Sequence, residues 1–542
     1  MPDRTHESSA RLRRAFAAVA LLLVLAPLIA NAPLFDPDEG LHAAIAQEML
    51  ARQDFVTPTF LGEPFLDKPI LFFWAEAASL RLFGDRELAI RIPPLVFGIL
   101  GMLSVAWLGR ALFGERAGLG AGIIYGTMIL PLGVSQVAVH DIGLIPFMCG
   151  ACWCLVAVTN AAGARRAAVL GVAAGILLGL SILTKGLVGC VFATIFAGCL
   201  AARQRTALRD LFIALAVGGV VAIVVAAPWY WAMERAHPGY LHYYFVERHL
   251  QGYLTATQRH AGRPWWYYLP IVLGGALPWT GYLFAAAPSA RRDSLRLAIW
   301  GWFAIGLVFL SIGESKLVTY ALPLFPAIAI IAITGTVPVF SGGGFVTKLA
   351  FGVQALVLVA LPSAGLLALR WKYDAHHPAL WAPLALMAGC SAYALWRAWR
   401  TRPAEHTMIW LATASMASLV GMMMVMPRAA DWMTSRDLAA ALNARESLPP
   451  RVSIIDERMG SLIFYLSPAL RAEATRGRLA EATFAEALMR TRVDPDDAIV
   501  AVRRNQLARF NRLFPHPPPP DAQAGTFTIF RTLTLKETLQ GR

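Results

Sequence analysis

The stretch Leu21-Leu22-Leu23-Val24-Leu25-Ala26-Pro27-Leu28-Ile29-Ala30-Asn31-Ala32-Pro33-Leu34-Phe35-Asp36-Pro37-Asp38-Glu39 decides the fold class. It belongs to an apolar run from about Ala15 to Pro33 that stops at three carboxylates in four positions, Asp36, Asp38 and Glu39. A helix crossing a hydrocarbon core needs roughly 20 apolar residues, which this run supplies. Arg4, Arg11, Arg13 and Arg14 precede it, as in a secretory signal. The run is longer than a signal core, however, and Asn31-Ala32-Pro33 is a poor cleavage site. It reads as a retained first transmembrane helix whose far end opens onto acid groups.

Working outward, the same pattern recurs. Apolar runs lie near 90–111, 117–137, 142–161, 166–184, 186–202 and 211–232, then near 268–288, 297–313, 317–336, 347–369, 380–397 and 407–427. With the first, they give about thirteen membrane helices. Composition agrees: 57% of the 542 residues are hydrophobic and only 15% charged, against about a quarter in soluble chains. The net charge of +14 is compatible with nucleic-acid binding, but its placement points elsewhere. Arg110, Arg116, Arg165, Arg166, Arg203, Arg205, Arg209, Arg291, Arg292, Arg296, Lys348, Arg397, Arg400 and Arg402 all fall in alternate connections, which places those on the cytoplasmic side. Val137–Asp141, on the other side, has no Lys or Arg. The expected topology is a multi-pass bacterial inner-membrane protein with a cytoplasmic N-terminus and a periplasmic C-terminus. The six cysteines lie inside apolar runs, which indicates no disulfide framework, and Cys149-x-x-Cys152 reads as small apolar residues on a buried helix.

Two outer segments are too long for turns. In the first, Leu41, Ile45 and Met49 recur at helical spacing, and Pro69 can open a second helix carrying Ile70, Phe73, Trp74 and Ala77. Both are expected to lie in the membrane interface. The second, Glu234 to Trp266, is rich in aromatic and basic residues. From about Pro427 the character changes: a helix over Ser435–Arg445, strands at Val452–Asp456, Ala498–Val502 and Thr526–Leu533, and a helical pattern over Leu479–Met489 predict a small α/β domain. The expected division is 1–428 for a membrane catalytic domain and 429–542 for a periplasmic one.

Ionisable groups at a membrane boundary are costly, and their position is therefore informative. The outer side gathers Asp36, Asp38, Glu39, Asp67, Lys68, His140, Asp141, Lys185, Glu314, Lys316 and Tyr320. Each has a plainer role open to it: Asp36, Asp38 and Asp141 as helix caps, Lys68 and Lys185 as side chains snorkelling to headgroups. Together they fit a lipid-linked sugar, whose phosphate lies at this depth. Lys68, an Arg of the second loop and Tyr320 suit the phosphate and the charge that grows on it as it leaves. A carboxylate, Asp38 or Asp141, suits an acceptor that must be oriented or deprotonated.

Pro37-Asp38-Glu39, Asp67-Lys68-Pro69, the outer-turn Asp141, Thr184-Lys185-Gly186, Leu277-Pro278-Trp279 and Ser315-Lys316-Leu317-Val318-Thr319-Tyr320-x-Leu322-Pro323 follow one another in an order that resembles the ArnT-like lipid A aminoarabinose transferases. These stand with the protein O-mannosyltransferases in the polyprenyl-phosphate-dependent GT-C glycosyltransferases. The resemblance spans nearly the whole chain. It implies Asp38 as the catalytic carboxylate with Asp141 beside it. It also implies Lys68 and Tyr320 on the carrier phosphate, with Glu39 and Lys185 completing the donor site. Asp67 and His249 fall where relatives have been suggested to hold a divalent metal, zinc or magnesium. Two departures stand out: Asp67 replaces the usual Glu, and Gly252 in His249-Leu250-Gln251-Gly252-Tyr253 stands where a phosphate-binding Arg is expected, leaving Arg248 or Arg259 to substitute. The implied activity is inverting transfer of 4-amino-4-deoxy-L-arabinose from undecaprenyl phosphate to a lipid A phosphate by a monomer. Another polyprenyl-linked sugar or another glycan, lipid or protein acceptor is the alternative, and a lipid-linked sugar flippase is the alternative from another class. Transporters show repeats and midplane polar breaks; here no repeat is visible and the polar groups keep to one face.

Overall fold

The computed structural model describes residues 2–30, 32–160, 163–255, 261–290, 293–342, 381–400, 404–455 and 459–540, with six single positions between 352 and 371. Apart from those single positions, the expected span at 347–369 lies outside the described residues, as does Arg259. The helices are α1 (Pro2–Ala30), α2 (Asp38–Arg52), α3 (Leu71–Phe83), α4 (Glu87–Phe113), α5 (Glu115–Thr127), α6 (Ile129–Val134), α7 (Asp141–Thr159), α8 (Ala164–Lys185), α9 (Val188–Arg203) and α10 (Leu208–Ala236). After them come, among others, Ser294–Ile312, Phe325–Gly342, Trp381–Arg400 and Ala404–Ala430. Among the described residues seven helices are long and apolar enough to cross a membrane, or eight if the bent pair Trp265–Gly275 and Thr280–Ala287 forms one span. α7 lies at the heart of the bundle, with 78% of its most apolar window buried, whereas the spans Arg205–Ala236 and Ser294–Ile312 are only 28% buried and present long apolar flanks outward.

Two expected spans are not continuous. The run at 117–137 ends as α5 at Thr127 and restarts as the short α6, which contains Pro131. The run at 268–288 bends by 105° around Leu277-Pro278-Trp279. Proline withdraws a backbone donor from the helical ladder, which is the physical reason for breaks at such places.

The two helices expected in the first outer segment both form. Asp38 and Glu39 occupy the first turn of α2, where negative charge suits the helix dipole. α3 follows Pro69-Ile70 and ends at Gly84, whose φ of 80° releases the chain into α4. α8 packs on α10 through Gly171, Gly175 and Gly179. A Cβ at Gly171 would stand 2.7 Å from the Ala214 carbonyl oxygen, so only small residues allow this approach.

The C-terminal region folds around a five-stranded sheet ordered Leu479–Ala482, Val452–Ile455, Ile499–Arg503, Phe527–Arg531, Ala522–Ala524, with the first three parallel and the last two pairings antiparallel. Helices cover it, and the last long membrane-type helix runs on to Ala430 before it begins. Leu479–Ala482, expected to be helical, is an edge strand, and the helix starts only at Phe484, capped by Thr483 and Glu486. Two cores flank the sheet: Leu438, Leu462, Leu470 and Ile529 on the side of α2, and Phe484, Phe510, Phe514 and Phe530 on the other.

Candidate active site

The entry to α2 divides three neighbouring carboxylates, Asp36 before the helix and Asp38 and Glu39 in its first turn, among three environments. Glu39 is buried and forms a fork with Arg91 of α4, Nε to Oε1 at 2.9 Å and Nη2 to Oε2 at 2.8 Å. Arg91 also donates to the Ala32 and Pro33 carbonyls at 2.6 and 2.9 Å, and Glu39 accepts the Phe35 amide at 3.1 Å. Asp36 is buried in the opposite direction, against Ser435 and Ser461 of the C-terminal region. Burial pushes its carboxyl above the ordinary range, against the pull of the Ser461 hydroxyl and amide. Asp38, between them, is exposed. Both Glu39 oxygens are engaged by Arg91 and the Phe35 amide, so in this structure Glu39 holds the turn that presents Asp38. The sequence reading passed over Arg91, which lies just inside an apolar run, where a buried cation is costly.

Facing Asp38 is a second group of charges. Asp141 opens α7 and Lys185 ends α8; they form a close ion pair, 9% and 10% exposed respectively. The Lys185 ammonium also stands 4.4 Å from the centre of the Tyr320 ring, a cation–π contact. The field of Asp38 reaches both Tyr320 and His42, which places the two groups in one cluster. α8 ends at Lys185 because Gly186 takes a φ of 74°. The His249 ring packs against that glycine, with its Nδ1 turned to the Tyr244 carbonyl at 2.7 Å.

Lys68 is half-buried and makes no hydrogen bond or ion pair among the described residues, yet its charge is felt at His42, His140, Asp141 and His249. A half-buried cation without a committed partner among the described residues is suited to an anion from outside the chain. Next to it, Asp67 accepts from the Tyr243 hydroxyl at 2.6 Å and from Arg248 Nη2 at 2.9 Å. This is a poor donor set for a divalent metal. Both Asp67 oxygens are engaged, a guanidinium lies alongside, and among the described residues no three His, Cys, Asp or Glu gather. The suggested pairing of Asp67 and His249 on a metal does not fit, and Asp67 instead holds Arg248, one helical turn before Gly252.

The sequence reading missed His42; His140, which it gathered with the outer-side groups, stands in the turn just before α7. Both are buried: their rings meet edge-on at 4.5 Å, and His140 lies between Phe72 and Phe73 at 4.7 Å from each. Burial pushes His42 down to about 4, with Asp38 pulling upward and Lys68 adding to the fall. Burial likewise takes His140 well below the ordinary range, helped by His42 and Lys68. These imidazoles thus form a neutral wall behind the charged cluster. Glu76 of α3 is fully buried with no hydrogen-bond partner for either oxygen among the described residues; burial and the charge of Glu39 push it well above the ordinary range, so it is a neutral acid. Deeper along the bundle a groove of about 790 Å³ lies where α4, α7 and α8 meet, walled by Leu100, Leu103, Trp107, Phe147, Trp153 and Leu177.

Comparison with known proteins gives the family. Residues 67–231 match the family model described as dolichyl-phosphate-mannose-protein mannosyltransferase. The undecaprenyl phosphate-α-4-amino-4-deoxy-L-arabinose arabinosyl transferase of Aeromonas salmonicida is 31% identical over 68% of this chain and 69% of its own length. The protein of the same name from Erwinia tasmaniensis is 32% identical over 71% and 70%. The crystal structure of ArnT from Cupriavidus metallidurans bound to undecaprenyl phosphate shares the fold, with a TM-score of 0.71 at 22% identity over 95% of this chain and 97% of that one. Its apo form gives 0.72 over 96% and 97%. With Asp38, Lys68 and the Asp141–Lys185–Tyr320 group assembled at one end of such a fold, the chain belongs to the undecaprenyl phosphate-α-4-amino-4-deoxy-L-arabinose arabinosyl transferase family of membrane glycosyltransferases.

Proposed function

We propose that this protein transfers 4-amino-4-deoxy-L-arabinose from undecaprenyl phosphate to a phosphate of lipid A at the periplasmic face of the inner membrane. The observation that carries the reading is the contrast at one end of the bundle: an exposed carboxylate, Asp38, and an uncommitted, half-buried cation, Lys68, beside the buried ion pairs Glu39–Arg91 and Asp141–Lys185. In this reading the donor phosphate rests on Lys68, with Tyr320 and Arg248 beside it. The acceptor oxygen attacks the anomeric carbon from the side opposite the phosphate. As the new C–O bond forms, the bond to the carrier oxygen breaks, and undecaprenyl phosphate departs carrying one more negative charge. Lys68 stabilises that charge where it develops, and Lys185 adds to the positive field. A lipid A phosphate is already an anion, so Asp38 chiefly orients the sugar and balances the charge growing at its ring. The Asp141–Lys185 pair fixes the opposite wall. The groove between α4, α7 and α8 suits part of a long isoprenoid tail.

The same proposal includes about thirteen membrane helices, a cytoplasmic N-terminus, a C-terminal domain from residue 429 on the periplasmic side, and a monomer. The presence of Gly252 where relatives are expected to carry an Arg favours one second reading, transfer of a related polyprenyl-linked sugar to another envelope acceptor, with Arg248 taking the phosphate role. Reconstitution in liposomes with the aminoarabinosyl donor and lipid A tests both. The expected product is lipid A carrying one aminoarabinose with inverted anomeric configuration by NMR. Retained configuration overturns the direct displacement, and transfer only from another polyprenyl-linked sugar selects the second reading.

A further inference from the structure

We infer that the C-terminal domain is part of the catalytic apparatus: Ser435 and Ser461 grip Asp36 and thereby set the position of Asp38, two residues on. The inference rests on the transferase reading above. Asp36 accepts the Ser461 amide on Oδ1 at 2.8 Å, and on Oδ2 it accepts the Ser435 hydroxyl at 3.0 Å and the Ser461 hydroxyl more closely still. Its own amide donates to the Met433 carbonyl at 2.9 Å. The Ser435 amide donates to Ser461 Oγ at 2.9 Å, so the two serines are fixed to each other as well as to Asp36. All three side chains are buried.

The backbones are in contact here. Gly40 of α2 and Gly460 lie against each other: a Cβ at Gly40 would stand 2.8 Å from the Ser461 Cα, and one at Gly460 would overlap the backbone of Gly40 and Leu41. Around this point Tyr465 accepts the Leu34 amide at 2.9 Å and donates to Glu87 at 3.0 Å, and the Gln47 amide donates to the Phe464 carbonyl at 3.4 Å. The turn that presents Asp38 is therefore held on two sides. Glu39 ties it to α4 through Arg91, and Asp36 ties it to the C-terminal domain. Asp38 is the one exposed carboxylate of the three, and its position follows from two anchors on different parts of the chain. Displacement of a reacting group by an ångström typically costs about 100-fold in rate. A loosened Asp36 anchor acts on turnover, because Lys68 and Arg248, which face the donor phosphate, are not connected to it by any of these bonds.

The test is the full-length double variant Ser435→Ala, Ser461→Ala in detergent or liposomes, assayed with the aminoarabinosyl donor. The expected result is a kcat lowered about 10–100-fold with donor KM within about twofold of wild type. Faster hydrogen–deuterium exchange is expected at the Asp36 and Gly40 amides, with the exchange of α7 and α8 unchanged. An unaltered kcat overturns the inference, and so does a kcat loss matched by an equal KM rise. If the double variant does not fold, Ser435→Ala alone, which keeps both Ser461 bonds, is expected to lower kcat severalfold; wild-type turnover there overturns the inference. A wild-type protein inactive with this donor speaks against the transferase reading instead, and the exchange measurement still decides the anchor.

Discussion

The two ends of the bundle carry ion pairs of opposite character. At one end Arg13 of α1 meets Glu115 of α5 with side chains 65% and 38% exposed. At the other, Glu39–Arg91 and Asp141–Lys185 are each at most a tenth exposed. Exposed pairs are worth little, typically 0–1 kcal/mol. Buried pairs carry a desolvation cost that their attraction only partly offsets, and breaking one is expensive. The Arg13 end carries its charge at the surface, where water solvates it. The Asp38 end keeps charge where it is costly, which a purely structural bundle has no need to do. Charge at that end serves either to hold the site in shape or to meet a charged substrate.

The largest difference between the ends should appear in activity. Asp38→Asn is expected to lower transfer by about 10²–10⁴-fold while the protein unfolds at its usual temperature, because the side chain is exposed and nearly isosteric. Measuring kcat and melting on the same preparation checks both halves. Lys185→Ala leaves Asp141 buried without its cation and should cost about 3–5 kcal/mol of stability together with most activity, readable as a lowered unfolding midpoint. Lys68→Ala removes no partner from the protein. It should raise donor KM roughly 10–100-fold, the worth of one or two charge-assisted hydrogen bonds, with little change in melting. Acidification acts through the imidazole wall. His42 binds its proton at an ordinary 6.5 when unfolded and at about 4 when folded, so stability is complete above pH 6.5 and declines as pH falls toward 4. His42→Gln should flatten that decline; an unchanged acid limb would remove His42 from it. The smallest effect belongs to the Arg13 end, where Arg13→Ala should change stability by less than about 0.5 kcal/mol and leave transfer at wild-type rate.

Much of the site was legible because its members sit at the ends of apolar runs, where an ionisable residue is conspicuous. Asp38, Lys68, Asp141, Lys185 and Tyr320 were all readable in this way, and the structure brings them together. Three of their anchors were not. Arg91 lies inside a run taken as membrane-spanning, and its carboxylate is 52 positions away. Ser435 and Ser461 are 399 and 425 positions from Asp36, and a serine in the sequence carries no signal that its hydroxyl is committed to a distant carboxylate. This is why Asp36 and Asp38 looked alike in the sequence and differ in the fold. The breaks at Met128 and around Pro278 were marked by nearby prolines but masked by continuous hydrophobicity, which measures burial and not helicity. Leu479–Ala482 was read as helix because Leu-Ala-Glu-Ala favours one; pairing with Val452–Ile455 overrides that local preference.

The account turns on Asp38 acting at the face where lipid-linked sugars are handled. Its most direct test is mass spectrometry of lipid A from cells that lack any such transferase and express either this protein or its Asp38→Asn variant, with the aminoarabinosyl donor present in both. The prediction is lipid A bearing aminoarabinose with the natural protein and unmodified lipid A with the variant at equal membrane abundance. Equal modification by the two proteins would contradict it.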